Sequence, residues 1–347
     1  MHVTDYATDP CDICGHAQLS AFDFRVNVAD AFAADVVGCP VCYFRQLRPR
    51  PRPEELAACY ADDYFDSSGG TGFGDYAKQR QRHHREAWIL ARELRKLAPT
   101  GKLLEVGSAL GFLLEGLEQH CDWEVSGLDL SEFGVRFATD RLKVDARCAT
   151  LESAGLAPAS VGYMVQKDLL EHVERPRDHM VETARVMRPG GRVWLVTPNG
   201  EANLAPLRRL GQNDLQNFPD LLPLLDQAHV SFFTRNNLEK LFDDCGFRVL
   251  RLRNISIKRG LRSLGHLPAK RKPPTGSAQP SPPQTKASDG AAFAKVADRM
   301  EAELLRHHKA SRAWPAYFMF RHVQDMFDSL PARPVWGNDF EFLLEKR

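Results

Sequence analysis

The sequence lacks the long apolar segments that a membrane protein needs. It has no uninterrupted apolar run of about 18 residues, the shortest length that is read as a membrane-spanning helix. Its first residues also lack the basic segment followed by an apolar stretch that is typical of a secretion signal. We therefore expect a cytoplasmic protein with no membrane partner.

The sequence also lacks an excess of charge of either sign. Its 46 Lys and Arg residues and 45 Asp and Glu residues give a formal net charge of +1 at pH 7. Proteins that bind nucleic acid or anionic membranes through overall electrostatics usually carry a strong basic excess. A small-molecule partner is therefore favoured over nucleic acid, and nothing in the composition indicates an oligomeric state.

Cysteine, by contrast, is present in a pattern. Of eight cysteines, four form two Cys-x2-Cys pairs, Cys11 with Cys14 and Cys39 with Cys42, separated by 24 residues. Four thiolates at this spacing suit tetrahedral zinc, and a segment this short needs a metal because it cannot bury a core of its own. We predict a structural zinc module over residues 1–50. A redox dithiol and unligated cysteines are the alternatives.

A helical connector is predicted over residues 51–98. Prolines interrupt its first part, and residues 76–97 are rich in helix formers with apolar side chains on one stripe. A helix of this kind would pack against the domain that follows.

Residues 102–252 alternate short β runs with helical stretches, which is typical of a parallel sheet covered by helices. The predicted strands are 102–106, 124–128, 143–147, 161–166, 192–197 and 247–252. The predicted helices lie near 111–120, 132–141, 178–187 and 235–245. Thr234 is the expected N-cap of the last helix, and Gly246 is expected to end it.

The C-terminal part divides into three segments. Residues 263–290 are rich in proline and polar residues, which predicts a disordered linker. Helical periodicity returns at the start of the segment 291–335. The chain closes on the segment 336–347, where Phe340, Phe342 and Leu344 occupy alternate positions, so we expect a strand there.

A glycine turn follows the first predicted strand of this domain, in KLLEVGSALGFLLEGL. Gly107 and Gly111 remove side chains where the backbone must bend sharply and approach a ligand. Asp129 ends the next strand, where a carboxylate can accept hydrogen bonds from both ribose hydroxyls of an adenosine. The turn alone is also found in dehydrogenases, but turn and acid together indicate a nucleoside cofactor.

Four segments in order, LLEVGSALG, GLDLSE, QKDLLEHV and MRPGGRVWLVTPN, resemble the motifs of class I S-adenosylmethionine-dependent methyltransferases. The resemblance implies an α/β, doubly wound, seven-stranded Rossmann-like fold with S-adenosyl-L-methionine as cofactor. The segment from CPVC to ADDYF is similar to the zinc-knuckle lead-in of a bacterial subgroup, whose aromatic residues would form a lid over the cofactor. The core would then be 99–262 completed by the final strand, inserted antiparallel between the fifth and sixth, with a helical insertion before it.

The resemblance also implies roles for individual residues. The expected cofactor contacts are Tyr76, Glu105, Gly107, Ser108, Ala109, Gly111, Asp129, Leu130, Thr150, Leu151 and Asp168. The acceptor would contact Glu171 and Asn199, and His172 and His229 are the candidate catalytic bases, with Lys167 and Asp168 as an alternative pair on the rim. Two positions depart from the family pattern: Ala109 replaces a common glycine, and Gly162 replaces a common aspartate.

The leading hypothesis is methyl transfer to oxygen of a small molecule such as a sugar or secondary metabolite. Because the sulfonium carries its own leaving group, the protein must mainly align the acceptor, exclude water and remove a proton. Transfer to carbon or nitrogen is the near alternative. RNA methylation and a catalytically silent scaffold are weaker alternatives, and a dehydrogenase is weakest because the turn lacks the full GxGxxG.

Overall fold

The computed structural model describes residues 10–28, 32–50, 79–215, 229–256, 290–307 and 339–347. The first part of the predicted connector, with Tyr76, lies outside these residues, as does the predicted linker apart from its last residue. Of the predicted helical insertion, only the residues up to 307 are described.

The N-terminal residues form three antiparallel strands, which the sequence analysis does not anticipate. The strands are β1 (Ser20–Val28), β2 (Phe32–Gly38) and β3 (Arg45–Arg48). The second cysteine pair lies in the turn between β2 and β3, where the Cys39 N–H donates to the Phe44 carbonyl at 2.8 Å. This turn returns the second pair toward the first, which precedes β1.

The helix within the predicted connector, α1 (Arg80–Leu97), packs on the domain that follows, as predicted. Ala87, Leu90, Ala91 and Leu94 on its apolar stripe are buried. The next helix, α2 (Phe112–Glu118), approaches closely because Gly116 has no side chain. A Cβ at Gly116 would lie 2.7 Å from the Ala87 Cβ, nearer than real Cβ contacts allow.

Seven strands form the main sheet, and this confirms the predicted fold class. They are β4 (Lys102–Val106), β5 (Glu124–Asp129), β6 (Ala146–Cys148), β7 (Val161–Lys167), β8 (Met187–Pro198), β10 (Phe247–Ile255) and β11 (Asp339–Lys346). Their order across the sheet is β10-β11-β8-β7-β4-β5-β6. The ninth strand, β9 (Ser231–Phe232), belongs to the N-terminal sheet instead.

Helices connect these strands. They are α3 (Glu132–Phe137), α4 (Pro176–Val186), α5 (Gly200–Leu215), α6 (Arg235–Asp244) and α7 (Gly290–His307). The Thr234 hydroxyl caps α6 by accepting from the Asn237 N–H, as predicted. The predicted strand 143–147 starts before the observed β6. The preceding residues form a π-helical turn (Ala138–Leu142), which ends at Lys143 with a left-handed φ of 62°. β8 begins at residue 187, earlier than predicted, and α5 was not predicted.

The final strand is confirmed between β8 and β10, antiparallel to both. Phe340, Phe342 and Leu344 are buried in the main core, and the Phe342 ring lies 5.0 Å from that of Phe242 on α6. The chain therefore returns to insert its last strand beside the edge strand of its own sheet.

One face of α7 packs on α3 through Phe293, Ala297, Met300 and Leu304. Within the six described ranges, no helix is long and apolar enough to cross a bilayer.

Candidate active site

The predicted glycine turn joins β4 to α2. Gly107 and Gly111 both have a φ of +79°, a left-handed conformation that favours glycine. A Cβ at Gly111 would lie 2.9 Å from the Ala138 Cβ, so a larger residue would displace the π-turn. The N–H groups of Gly107 and Ser108 donate to the Leu128 carbonyl at 2.8 and 3.0 Å, which fixes the turn against β5.

Ala109 occupies a left-handed conformation with a φ of 49°. A left-handed conformation costs an L-residue such as alanine roughly 1–2 kcal/mol, a cost that glycine does not incur. The Ala109 N–H donates to Asp129 Oδ2 at 2.7 Å, a charge-assisted bond that offsets part of this cost. The departure from glycine therefore leaves the turn intact.

Asp129 ends β5 beside this turn. Its Oδ1 accepts from the Ser131 N–H at 2.8 Å and its Oδ2 from Ala109, which orients the carboxylate and leaves further lone pairs for a ligand. Burial raises the pKa of Asp129, against the lowering effect of these two hydrogen bonds. The adjacent Leu130 side chain is 50% exposed and offers an apolar surface to a planar ring.

Glu105 lies on β4 and is buried. Burial raises the pKa of its carboxyl well above the ordinary value, while the Lys167 charge opposes this effect. Its Oε2 has no hydrogen-bond partner among the residues that the structure describes, and neither has the buried hydroxyl of Ser108. A buried carboxylate oxygen of this kind fits a ligand ammonium group, so these residues suit the amino-acid part of S-adenosylmethionine.

The segment after β6 contains Thr150 and Leu151, the predicted adenine contacts. The Leu151 side chain is 1% exposed and belongs to the main core. The Thr150 hydroxyl accepts from the Ser153 N–H at 3.1 Å and shapes the turn. Gly162 is covered by Arg188, whose guanidinium lies 3.0 Å from where a Cβ would stand, so a cation fills the space that a side chain at this position would need.

Lys167 does not pair with Asp168, which corrects the alternative considered from the sequence. Its ammonium lies 2.7 Å from Glu86 on α1, and both side chains are almost fully buried. Asp168 is exposed and has a left-handed φ of 51°. Desolvation by the surrounding protein raises the pKa of its carboxyl, and the charge of Lys167 opposes this rise. Asp168 can therefore meet a ligand, whereas Lys167 fastens α1 to the sheet.

A second polar cluster follows β7, in the 3-10 turn Leu170–His172. Glu171 is buried, and its Oε2 accepts from the Thr197 hydroxyl at 2.9 Å. His172 Nε2 lies 3.9 Å from Glu171 Oε1, and the His172 and His229 rings meet edge to face at 4.8 Å. The structure thus brings both candidate bases together with Glu171. Thr197, which orients that carboxyl, was not predicted from the sequence.

Burial also affects the protonation of Glu171. It raises the pKa of Glu171 well above the ordinary value, and the charge of Asp168 adds to the rise. Asn199 is buried nearby, and its Oδ1 accepts from the Glu201 N–H at 3.1 Å at the start of α5. The Asn199 side-chain oxygen thus caps α5. The acceptor contact expected of this residue stays a prediction.

The N-terminal sheet holds His229 in place. β9 pairs with β3 in the register Gln46 to Ser231, and the Leu47 N–H donates to the Val230 carbonyl at 2.9 Å. The Val230 N–H in turn donates to the Glu171 carbonyl at 2.9 Å. A continuous set of backbone hydrogen bonds therefore links the cysteine module to the candidate base.

The four cysteines converge at the other end of this module. Cys11 and Cys42 have their sulfurs 3.5 Å apart, as have Cys14 and Cys39, and all four sulfurs lie within 4.8 Å of one another. A tetrahedral zinc ion with Zn–S bonds of about 2.3 Å requires sulfurs about 3.8 Å apart. The four residues therefore fit a structural zinc ion.

Comparisons with known proteins agree with this geometry. Residues 76–252, just over half of the chain, match the family model described as a methyltransferase domain. The ubiquinone biosynthesis O-methyltransferase of Azoarcus sp. (strain BH72) is 29% identical over 161 residues, which are 45% of this chain and 67% of that protein. The protein of the same name from Parvibaculum lavamentivorans is 26% identical over 160 residues, 45% of this chain and 62% of that protein.

Among solved structures, an S-adenosylmethionine-dependent methyltransferase from Mesorhizobium loti matches with a TM-score of 0.42 and 15% identity, covering 75% of this chain and 97% of that one. A TM-score this low supports no argument about function. The family match includes the glycine turn, Asp129 and the Glu171–His172 pair, but not the four cysteines. The chain belongs to the methyltransferase domain family, and its residues 76–252 are an S-adenosylmethionine-dependent methyltransferase domain.

Proposed function

We propose that this chain transfers a methyl group to a hydroxyl oxygen of a small molecule. The observation that carries the proposal is the position of two polar clusters beyond adjacent parallel strands of one sheet. Glu105 and Asp129 fit the cofactor, whereas Glu171, His172 and His229 form a separate cluster beyond β7. The relatives named as ubiquinone biosynthesis O-methyltransferases support oxygen as the acceptor atom.

The cofactor residues would divide their work by position. S-adenosylmethionine, when bound, supplies an activated methyl group on a sulfonium. Asp129 would accept hydrogen bonds from the ribose hydroxyls, with its carboxylate held by the N–H groups of Ala109 and Ser131. Glu105 would accept from the ligand ammonium, which gives its unpartnered Oε2 a partner. Asp168 would contribute from the rim.

The acceptor side would remove a proton. His172 and His229 are the candidate bases, because imidazole is the side chain that most often accepts a proton in general base catalysis. Glu171, oriented by Thr197, would contact the acceptor beside them. A base in hydrogen-bond reach contributes about 10²- to 10⁴-fold to the rate, and alignment of the acceptor supplies most of the rest.

The four cysteines would hold a structural zinc ion. Because four thiolates fill a tetrahedral shell, no position stays open for a substrate, and the role is to stabilise the N-terminal sheet. Metal analysis of freshly purified protein should find about one zinc per chain. A content below about half an equivalent would contradict this assignment.

The function is tested by incubating the protein with methyl-labelled S-adenosylmethionine and separate sets of alcohols, phenols, amines and carbon acids. We expect label on oxygen, and a loss of about 10²-fold or more in His172→Gln or His229→Gln if that residue is the base. His120→Gln, at the end of α2, is the matched control and should keep full activity. Label only on nitrogen or carbon would refute the choice of oxygen.

Cofactor binding is tested separately. S-adenosylhomocysteine should raise the Tm of the protein, and Asp129→Asn should reduce that rise. A protein that stays folded but shows no shift at millimolar ligand would be a silent scaffold rather than an enzyme.

A further inference from the structure

The cluster beyond β7 has the composition of a metal site. One carboxylate oxygen of Glu171 and one ring nitrogen each of His172 and His229 all lie within 4.8 Å of one another. Two imidazoles and a carboxylate form the ligand set of catalytic zinc in several hydrolases and of non-haem iron in oxygenases. This set differs from the four cysteines in both chemistry and position, since it combines residues that follow β7 with one that precedes β9.

The supporting contacts are those that a metal ligand requires. Glu171 has one oxygen held by the Thr197 hydroxyl at 2.9 Å, while its Oε1 has no hydrogen-bond partner in the described part of the chain. An outer hydrogen bond of this type orients a ligating carboxylate and leaves the second oxygen for the metal. That second oxygen is the one that lies 3.9 Å from His172 Nε2.

The backbone already brings the two ligand segments together. The Val230 N–H donates to the Glu171 carbonyl at 2.9 Å, so His229 is held next to the 3-10 turn that carries the other two residues. Ligand atoms about 2.1 Å from a metal stand roughly 3.0–3.4 Å apart in tetrahedral or octahedral arrangements. The present separations, all within 4.8 Å, would have to shorten by at most about 1.8 Å to reach this range.

We propose that Glu171, His172 and His229 bind a divalent transition-metal ion beyond β7, where the acceptor is proposed to bind. The proposed methyl transfer supplies the reason for the site, but the binding itself does not depend on that function. A divalent cation at this position lowers the pKa of a hydroxyl that it ligates. The two histidines would then act as ligands, and the role of base would pass to the metal site as a whole.

Cobalt titration of protein loaded with one equivalent of zinc, enough to fill the four-cysteine site alone, tests the proposal. Co²⁺ bound by nitrogen and oxygen gives visible d–d absorption without the intense near-ultraviolet charge-transfer band that thiolate ligands produce. We expect one equivalent of Co²⁺ with the first spectrum and not the second. Glu171→Gln and His229→Gln lie in separate segments, and each should weaken Co²⁺ binding by at least about 10-fold.

Glu152→Gln provides the matched control. Glu152 also pairs with a histidine, His179 at 2.9 Å, but this pair lies outside the cluster, and its loss should leave Co²⁺ binding unchanged. Circular dichroism and zinc content identify variants that fail to fold, and either one of the two variants is sufficient for the test. The proposal is overturned if folded wild-type protein binds no Co²⁺ at 100 μM, which is about 100-fold above a micromolar Kd. It is also overturned if all bound Co²⁺ shows thiolate charge transfer, or if the folded variants bind Co²⁺ as tightly as wild type does. The S-adenosylhomocysteine shift is measured on the same samples, so failure of the cofactor site is seen separately.

Discussion

Replacing Lys167 with methionine should destabilise the protein by about 3 kcal/mol at pH 7, the low end of the range for a broken buried ion pair. The substitution leaves Glu86 buried after loss of a partner at 2.7 Å. Arg82 remains 3.1 Å from the same carboxylate, and His83 lies 3.7 Å away, which is why the low end applies.

The pKa of Glu86 gives the same magnitude. Burial alone would raise it, but the charges of Lys167 and His83 outweigh burial and lower it from 4.5 to about 2. A depression of this size corresponds to about 3 kcal/mol of stability, present above pH 4.5 and lost as the pH falls toward 2. Since the variant loses this depression, the difference between variant and wild type should be largest above pH 4.5 and should close below it.

Urea unfolding at pH 7, 5 and 3 measures these differences. Lys96→Met is the matched control. Lys96 lies on the same helix as Glu86 and pairs with Glu93 at 3.4 Å on the surface, so its loss should lower the free energy of unfolding by less than about 0.5 kcal/mol. The double substitution of Lys167 by Met and Glu86 by Gln should recover at least half of the loss, because it leaves no buried charge unpaired. A loss below about 1 kcal/mol at pH 7, or a double variant as unstable as the single one, would refute the reasoning.

Three further predictions concern other parts of the fold. Ala109→Gly should stabilise the protein by up to about 1 kcal/mol, because relief of the left-handed backbone exceeds the entropy that glycine adds to the unfolded chain; a lower Tm would contradict this. Deletion of residues 339–347 removes a strand between two others and should abolish cooperative unfolding, whereas an unchanged melting transition would show that the strand is dispensable. Cys39→Ser should lose zinc and increase amide hydrogen exchange at Val230 through the β3–β9 pairing; unchanged protection there would separate the module from the site.

Local patterns were sufficient to predict much of this architecture. The spacing of apolar residues predicted most strands of the main sheet and the helices between them. The glycine turn was predictable because Gly107 and Gly111 can adopt the left-handed φ that the turn needs. The final strand could be placed because Phe340, Phe342 and Leu344 face one side. Its position between β8 and β10 followed from the family resemblance and not from the pattern. The cytoplasmic location stays a prediction.

The features that the sequence did not predict depend on contacts between distant segments. β9 has two residues, too few for any periodicity, and it exists because β3 lies beside it. Lys167 pairs with Glu86, 81 positions earlier, rather than with its neighbour Asp168, because α1 carries that carboxylate over the sheet. Arg188 covers Gly162 for a similar reason, since β8 runs beside β7. Charge pairing in a buried region follows the packing of elements, which no single segment encodes.

The pairing of β3 with β9 has a consequence for how the chain can be divided. A fragment limited to residues 76–252 would keep every segment that the family match covers. It would also leave the Val230 carbonyl without the N–H of Leu47, and the backbone beside His229 would become an open strand edge. The segment that the family match covers is therefore shorter than the set of strands that pair with one another in this chain. A replacement for the cysteine module would close this edge only if its strand kept the register of β3.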